Sequence, residues 1–158
     1  MTIESVLERT EVIGFEDDTD IVFAQLRAAY TGSDRLANAI EQWLSAHPTQ
    51  NIRIIHWNEN NANGGPAGEG RVRINFEFPP RLVYIDVNGN AVQCDFLTVL
   101  VHELGHAIGG WFDTPTPLET MGDNVYHVNK WFEQLGIPQN VSYIAQDLIG
   151  TGSDILRG

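Results

Sequence analysis

His102-Glu103-Leu104-Gly105-His106 places two imidazoles and a carboxylate within five residues. Four positions apart, His102 and His106 share one face of a helix and stand close enough to grip a single ion. Imidazole nitrogen is a natural donor to zinc, and two histidines leave a tetrahedral site two positions short. Glu103 projects beside them, where a carboxylate can take a proton from a metal-activated water. The chemistry implied is zinc-assisted hydrolysis with Glu103 as general base. The plainer use of the same residues is a pair of solvated or core histidines on an amphipathic helix.

The segment that must carry the motif is Asp95-Phe-Leu-Thr-Val-Leu-Val. Asp95 is a good N-cap, the apolar residues Phe96, Leu97, Leu100, Val101, Leu104 and Ile108 give a broad helical face, and Gly109-Gly110 offers a stop. Upstream, Asp20 to Tyr30 has helical spacing and ends at Thr31-Gly32. Ser33 or Asp34 caps a second helix that runs to Ala46 and stops at His47-Pro48. The period then changes. Residues 51–57 read as a strand, 58–70 as a long loop, and 71–78 as a strand alternating Val72, Ile74, Phe76 and Phe78 on one face. Residues 81–87 form a third strand, and Asn88-Gly89 turns the chain into Asn90-Ala-Val-Gln. A last helix begins at Asp123 or Asn124 and runs to Leu135, closed by Gly136 and Pro138. Residues 1–19 are polar and acidic without a clear period and read as a loosely packed arm. The sum is an α+β fold with a mostly antiparallel sheet of three to four strands and flanking helices.

At 158 residues the chain is one domain with room for a core. A formal charge of -12 argues against nucleic acid or an anionic membrane surface as partner. Cys94 is alone, so no intramolecular disulfide forms, and it reads as a small buried apolar residue rather than a ligand or switch. The N-terminus lacks a basic start followed by an apolar run, and no stretch is long and apolar enough for a membrane span.

The third ligand is less plain. The metzincin pattern puts a glycine three and a histidine six residues past the second motif histidine. Gly109 is in register, but the sixth position is Phe112 and the next residue is Asp113. A glycine turn that reverses the chain brings Asp113 back toward the ion, while its plainer role is a turn residue before Thr114-Pro115. The order strand, zinc helix, Gly turn, aspartate resembles the aspzincin branch of the zincins, which includes zinc protease effectors delivered by bacterial secretion systems. The segment from Gly122 through Leu135-Gly-Ile-Pro to Tyr143 is similar to the region after the motif in zinc-peptidase-like toxin and RTX domains. The resemblance covers residues 50–146 and implies a zincin-like fold, a zinc ion held by His102, His106 and Asp113, and a protein or peptide substrate. Toxin relatives often carry a glutamate pair in the following loop, where this chain has Thr116-Pro-Leu-Glu119, so Glu119, and after it Asp123 or His127, are rival ligands. His127 could also act behind the ligands, and Tyr126 or Tyr143 could supply a phenol to the oxyanion. His47 and His56 read as structural. Substrate is expected to lie extended along an edge strand, here residues 81–87.

The chain ends Ile149-Gly-Thr-Gly-Ser-Asp-Ile-Leu-Arg-Gly158. Against the nonapeptide G-G-x-G-x-D-x-(apolar)-x, Gly150, Gly152, Asp154 and Leu156 fill their places and Ile149 replaces the first glycine. This resembles the first calcium-binding repeat of RTX proteins. It implies a peptidase-like domain over 1–148, the start of a repeat over 149–158, calcium binding only in a longer parent, and secretion without an N-terminal signal. A single repeat is expected to lie loose, since such calcium sites form between stacked turns. The leading function is a zinc-dependent peptidase. The alternatives are a non-catalytic module of an RTX surface or adhesion protein with a structural zinc, and a toxin domain that cuts one host protein.

Overall fold

In a computed structural model, which describes residues 1–57, 68–75, 82–112, 122–142 and 154–155, the chain begins with order rather than a loose arm. Thr2 and Ser5 cap each other reciprocally and start helix α1 (Ile3–Glu8), whose Val6 is buried. Strand β1 (Thr10–Ile13) follows, then a turn of 3-10 helix over Glu16–Asp18 beneath the buried Phe15. These elements are six and four residues long, too short for a periodic pattern to stand out against their charged neighbours.

Helix α2 (Thr19–Gly32) and helix α3 (Asp34–Ala46) meet at Ser33, which caps α3 by accepting from the N–H of Leu36 at 3.1 Å. The pair supplies Val22, Leu26, Leu36, Ile40 and Leu44 to the core and serves as the crossover to strand β2 (Ile52–His56). β2 pairs parallel with β1, Thr10 opposite Ile52, and parallel with strand β3 (Arg71–Ile74), Arg53 opposite Arg71. The first sheet, ordered β1-β2-β3, is therefore all parallel, which corrects the expected mostly antiparallel arrangement. The reason lies in β1. It supplies a partner for β2 that the sequence pattern did not reveal, and a helical connection between the two makes the pair parallel.

The second sheet is antiparallel along its main path. Strand β4 (Leu82–Asp86) turns through Asn88-Gly89 into strand β5 (Ala91–Gln93), as the turn residues demand. Asp86 Oδ1 holds that turn by accepting from the N–H groups of Asn88 at 2.9 Å and Asn90 at 2.8 Å. Helix α4 (Phe96–Leu104) follows, and after it helix α5 (Asp123–Leu135), which ends at Gly136 with φ 71°. Strand β6 (Asn140–Ser142) then returns to the free side of β4, tied to α5 by paired hydrogen bonds between the Asn129 amide and the Asn140 backbone at 2.7 and 2.8 Å. Strand β7 (Asp154–Ile155) pairs parallel with Leu82 and Val83. Two consequences correct the sequence reading. β4 is flanked on both sides and is no edge for substrate, and Asp154–Ile155 of the supposedly loose tail join the sheet. Among the described residues no helix is long and apolar enough to cross a membrane.

Candidate metal centre

α4 is buried on nearly all sides: every residue from Thr98 to Leu104, together with Phe96, is sequestered between α2, α5 and β3. Such a helix is apolar all round because it has no solvent face to serve. Asp95 starts it as the sequence indicates, with Oδ1 accepting from the N–H of Thr98 at 2.8 Å and from its hydroxyl at 2.6 Å. Within this apolar rod His102, Glu103 and His106 are themselves buried, at 1, 0 and 5% exposure. Three polar side chains in the driest element of the fold call for a compensating role.

The helix does not end as a plain α-helix. Gly105–Gly109 forms one π-turn, and Gly110 stops it in the left-handed region at φ 71°. The wider turn frees carbonyls near its end, and the chain before β3 takes them up. Gly68 N–H donates to His106 O and Gly70 N–H to Ala107 O, each at 2.9 Å. Trp43 clamps this loop in turn, its Nε1–H donating to Gly68 O at 2.8 Å. The two glycine N–H donors fix the backbone of the second motif histidine and of the residue after it.

The imidazole geometry follows. His106 Nδ1 lies 2.6 Å from the carbonyl oxygen of Trp111, and since a carbonyl only accepts, Nδ1 carries the proton and Nε2 the lone pair. His106 Nε2 stands 3.3 Å from His102 Nε2. Two nitrogens each about 2.05 Å from one zinc at the tetrahedral angle are separated by about 3.3 Å. The pair is thus spaced for a single zinc ion, and a backbone carbonyl on the far nitrogen is the usual outer support of such a ligand. Glu103 lies on the same turn, fully buried.

No family model and no curated protein matches the chain. Among solved structures it is similar to the crystal structure of the Salmonella zinc metalloprotease effector GtgA, with a TM-score of 0.65 and 17% identity. The match covers 90% of this chain and 84% of that one. The chain shares the fold of that protein.

Not every candidate joins the pair. Asp113, Glu119 and Tyr143 lie outside the described residues, while Phe112, next to Asp113, is tied by its carbonyl to the N–H of Asn124 at 3.1 Å. Asp123 is exposed on the first turn of α5. His127 stacks on the Trp111 ring at 4.1 Å and so touches the far side of the residue that supports His106. Tyr126 is 53% exposed with the Lys130 ammonium 4.4 Å above its ring. Among the described residues no third His, Cys, Asp or Glu groups with the two histidines. Cys94 is buried, and its thiol is pushed up by burial and then by Asp95, as an inert apolar residue would be. His47 stacks on Trp43 at 4.3 Å and His56 meets Phe15 edge-on at 5.2 Å, both structural contacts.

One residue at the site escaped the sequence reading. Asn124 is buried on the second turn-forming position of α5, and its Nδ2 reaches His102 O at 3.2 Å, His106 Nε2 at 3.2 Å and His102 Nε2 at 3.5 Å. Its place in the sequence, one residue past Asp123, suggested only a helix start. The missed signal is Gly105, a glycine inside an otherwise strong helix, which makes room for it: a Cβ there would lie 2.2 Å from Asn124 Oδ1.

Proposed function

We propose that this chain is a zinc-dependent endopeptidase. The observation that carries the reading is the 3.3 Å approach of His102 Nε2 and His106 Nε2, with His106 held in the tautomer that puts its lone pair on Nε2. His102 and His106 would hold the ion, and Asp113 is the preferred third ligand. The Gly110 turn supports that choice, because it brings Trp111 back against His106 two residues before Asp113. Zinc when bound acidifies water and polarises a carbonyl.

The chain's own residues do the rest. Glu103 takes the proton of the attacking water and returns it to the departing amine. Its burial in the helix keeps the base in a fixed place beside the histidines. Trp111 holds His106 in register through its carbonyl. With β4 enclosed, the substrate strand belongs on β3, which ends the parallel sheet among the described residues and packs on α4. The likeness to a bacterial effector supports a protein substrate and secretion, and the RTX-like tail is part of the same proposal.

Glu103→Gln tests the mechanism. The variant should keep its zinc and its circular dichroism but cleave a mixed peptide library at least a hundredfold more slowly. Cleavage at the wild-type rate by zinc-loaded Glu103→Gln would falsify it and leave a structural zinc site as the better reading.

A further inference from the structure

Asn124 is wholly buried, yet its Oδ1 has no hydrogen-bond partner among the described residues. An orphaned buried oxygen is costly, so the amide must be held by what its other end does. The two nearer neighbours of Nδ2, each at 3.2 Å, require a donor. His102 O can only accept, and His106 Nε2 accepts because Nδ1 gives its proton to Trp111. Reversing the amide would set oxygen against oxygen and lone pair against lone pair, so the orientation is fixed by chemistry rather than by shape.

The three atoms Asn124 Nδ2, His106 Nε2 and His102 Nε2 form a near-equilateral triangle with sides of 3.2, 3.3 and 3.5 Å. With a lone pair on both nitrogens, the state in which they can share a zinc ion, the two repel at this distance unless something positive lies between or beside them. Burial at 1 and 5% exposure limits relief by bulk water. A donor N–H beside the pair relieves that repulsion in the metal-free chain, and Asn124 supplies one.

We propose that Asn124 is a positioning residue of the metal centre, holding the His102 and His106 rings at zinc spacing before the ion arrives. The inference rests on the zinc reading above. On metal binding the amide gives up its bond to His106 Nε2 and keeps the one to His102 O, so little is lost against the ring reorganisation that is avoided. Gly105 belongs to the same device, because its missing side chain is the space that Asn124 Oδ1 occupies.

The test measures zinc affinity by competition with a chromophoric chelator, on chains shown to be folded, for wild type, Asn124→Ala and the similarly shaped Asn124→Leu. Both variants should bind zinc about ten- to a hundredfold more weakly. In the zinc-free chain the ¹⁵N resonance of His106 Nε2 should move in both, while that of His56 should not. If Asn124→Ala does not fold, Asn124→Leu decides. Zinc affinity within threefold of wild type in a folded variant, or tighter, overturns the proposal and leaves the zinc reading intact. A wild-type chain that binds no zinc overturns both.

Discussion

The carbonyl oxygen of Trp111 sits 2.6 Å from Nδ1 of His106, so a residue five positions beyond the second histidine decides which nitrogen of that histidine carries the lone pair. The contact exists because Gly110 takes a left-handed conformation at φ 71° and folds the chain back on the helix it has just left. The Phe112 carbonyl then accepts from the N–H of Asn124, whose amide lies at the histidine pair.

Asp113→Ala should therefore lose most of its zinc affinity, whereas Glu119→Ala should keep it. Removing one of three protein ligands leaves too few for tight binding. Metal analysis after dialysis against a weak chelator reads the difference. The opposite pattern would move the ligand role to Glu119.

Gly105→Ala sets two effects against each other. Gly105 has ordinary helical angles, φ -57° and ψ -45°, so alanine gains about 1 kcal/mol of helix propensity. Its Cβ would, however, lie 2.2 Å from Asn124 Oδ1 and 2.5 Å from Val128 Cγ2, both on buried residues. Overpacking of this kind costs about 1–3 kcal/mol and should prevail. Thermal unfolding should show a melting temperature lower by a few degrees. An unchanged or higher value would mean that α5 yields freely.

Stability should fall as pH rises above about 9. Burial holds the Cys94 thiol and the Tyr84 phenol above their ordinary values of 9.0 and 10.0, and a hydrogen bond to Glu41 lifts Tyr30 to about 12. All three stay protonated in the folded chain while the unfolded chain releases its protons, so the unfolded state gains as pH climbs through the ordinary values. Urea midpoints at pH 8, 9.5 and 10.5 should decline in that order. Cys94 should also resist a thiol reagent at pH 8 until the chain is unfolded. A flat midpoint across this range contradicts the burial argument.

Calcium at millimolar concentration should leave the melting temperature unchanged. Gly150, Gly152, Asp154 and Leu156 fill one repeat, and a repeat of this kind needs stacked neighbours to complete a calcium site. Asp154–Ile155 are paired to β4 through the backbone, which requires no ion. A calcium-dependent rise that disappears in Asp154→Ala would show a site already formed.

The sequence by itself determined the elements with strong local signals. Asp95 and Ser33 cap helices, Asn88-Gly89 turns a hairpin, Gly110 and Gly136 stop helices, and the His-Glu-x-x-His spacing sets two imidazoles on one face. Each is a short-range effect in which a few neighbouring residues fix the backbone. Tertiary structure alone decided the rest. The parallel sheet rests on β1, four residues whose order comes from pairing with β2 across 42 positions. The enclosure of β4 depends on β6 and β7 arriving from the far end of the chain. At the candidate metal centre, the tautomer of His106 is set by the Trp111 carbonyl, its backbone is held by Gly68, and its Nε2 is met by Asn124. None of these partners carries a motif, because a backbone carbonyl, an amide N–H and a lone asparagine acquire their roles only when folding brings them to the same point.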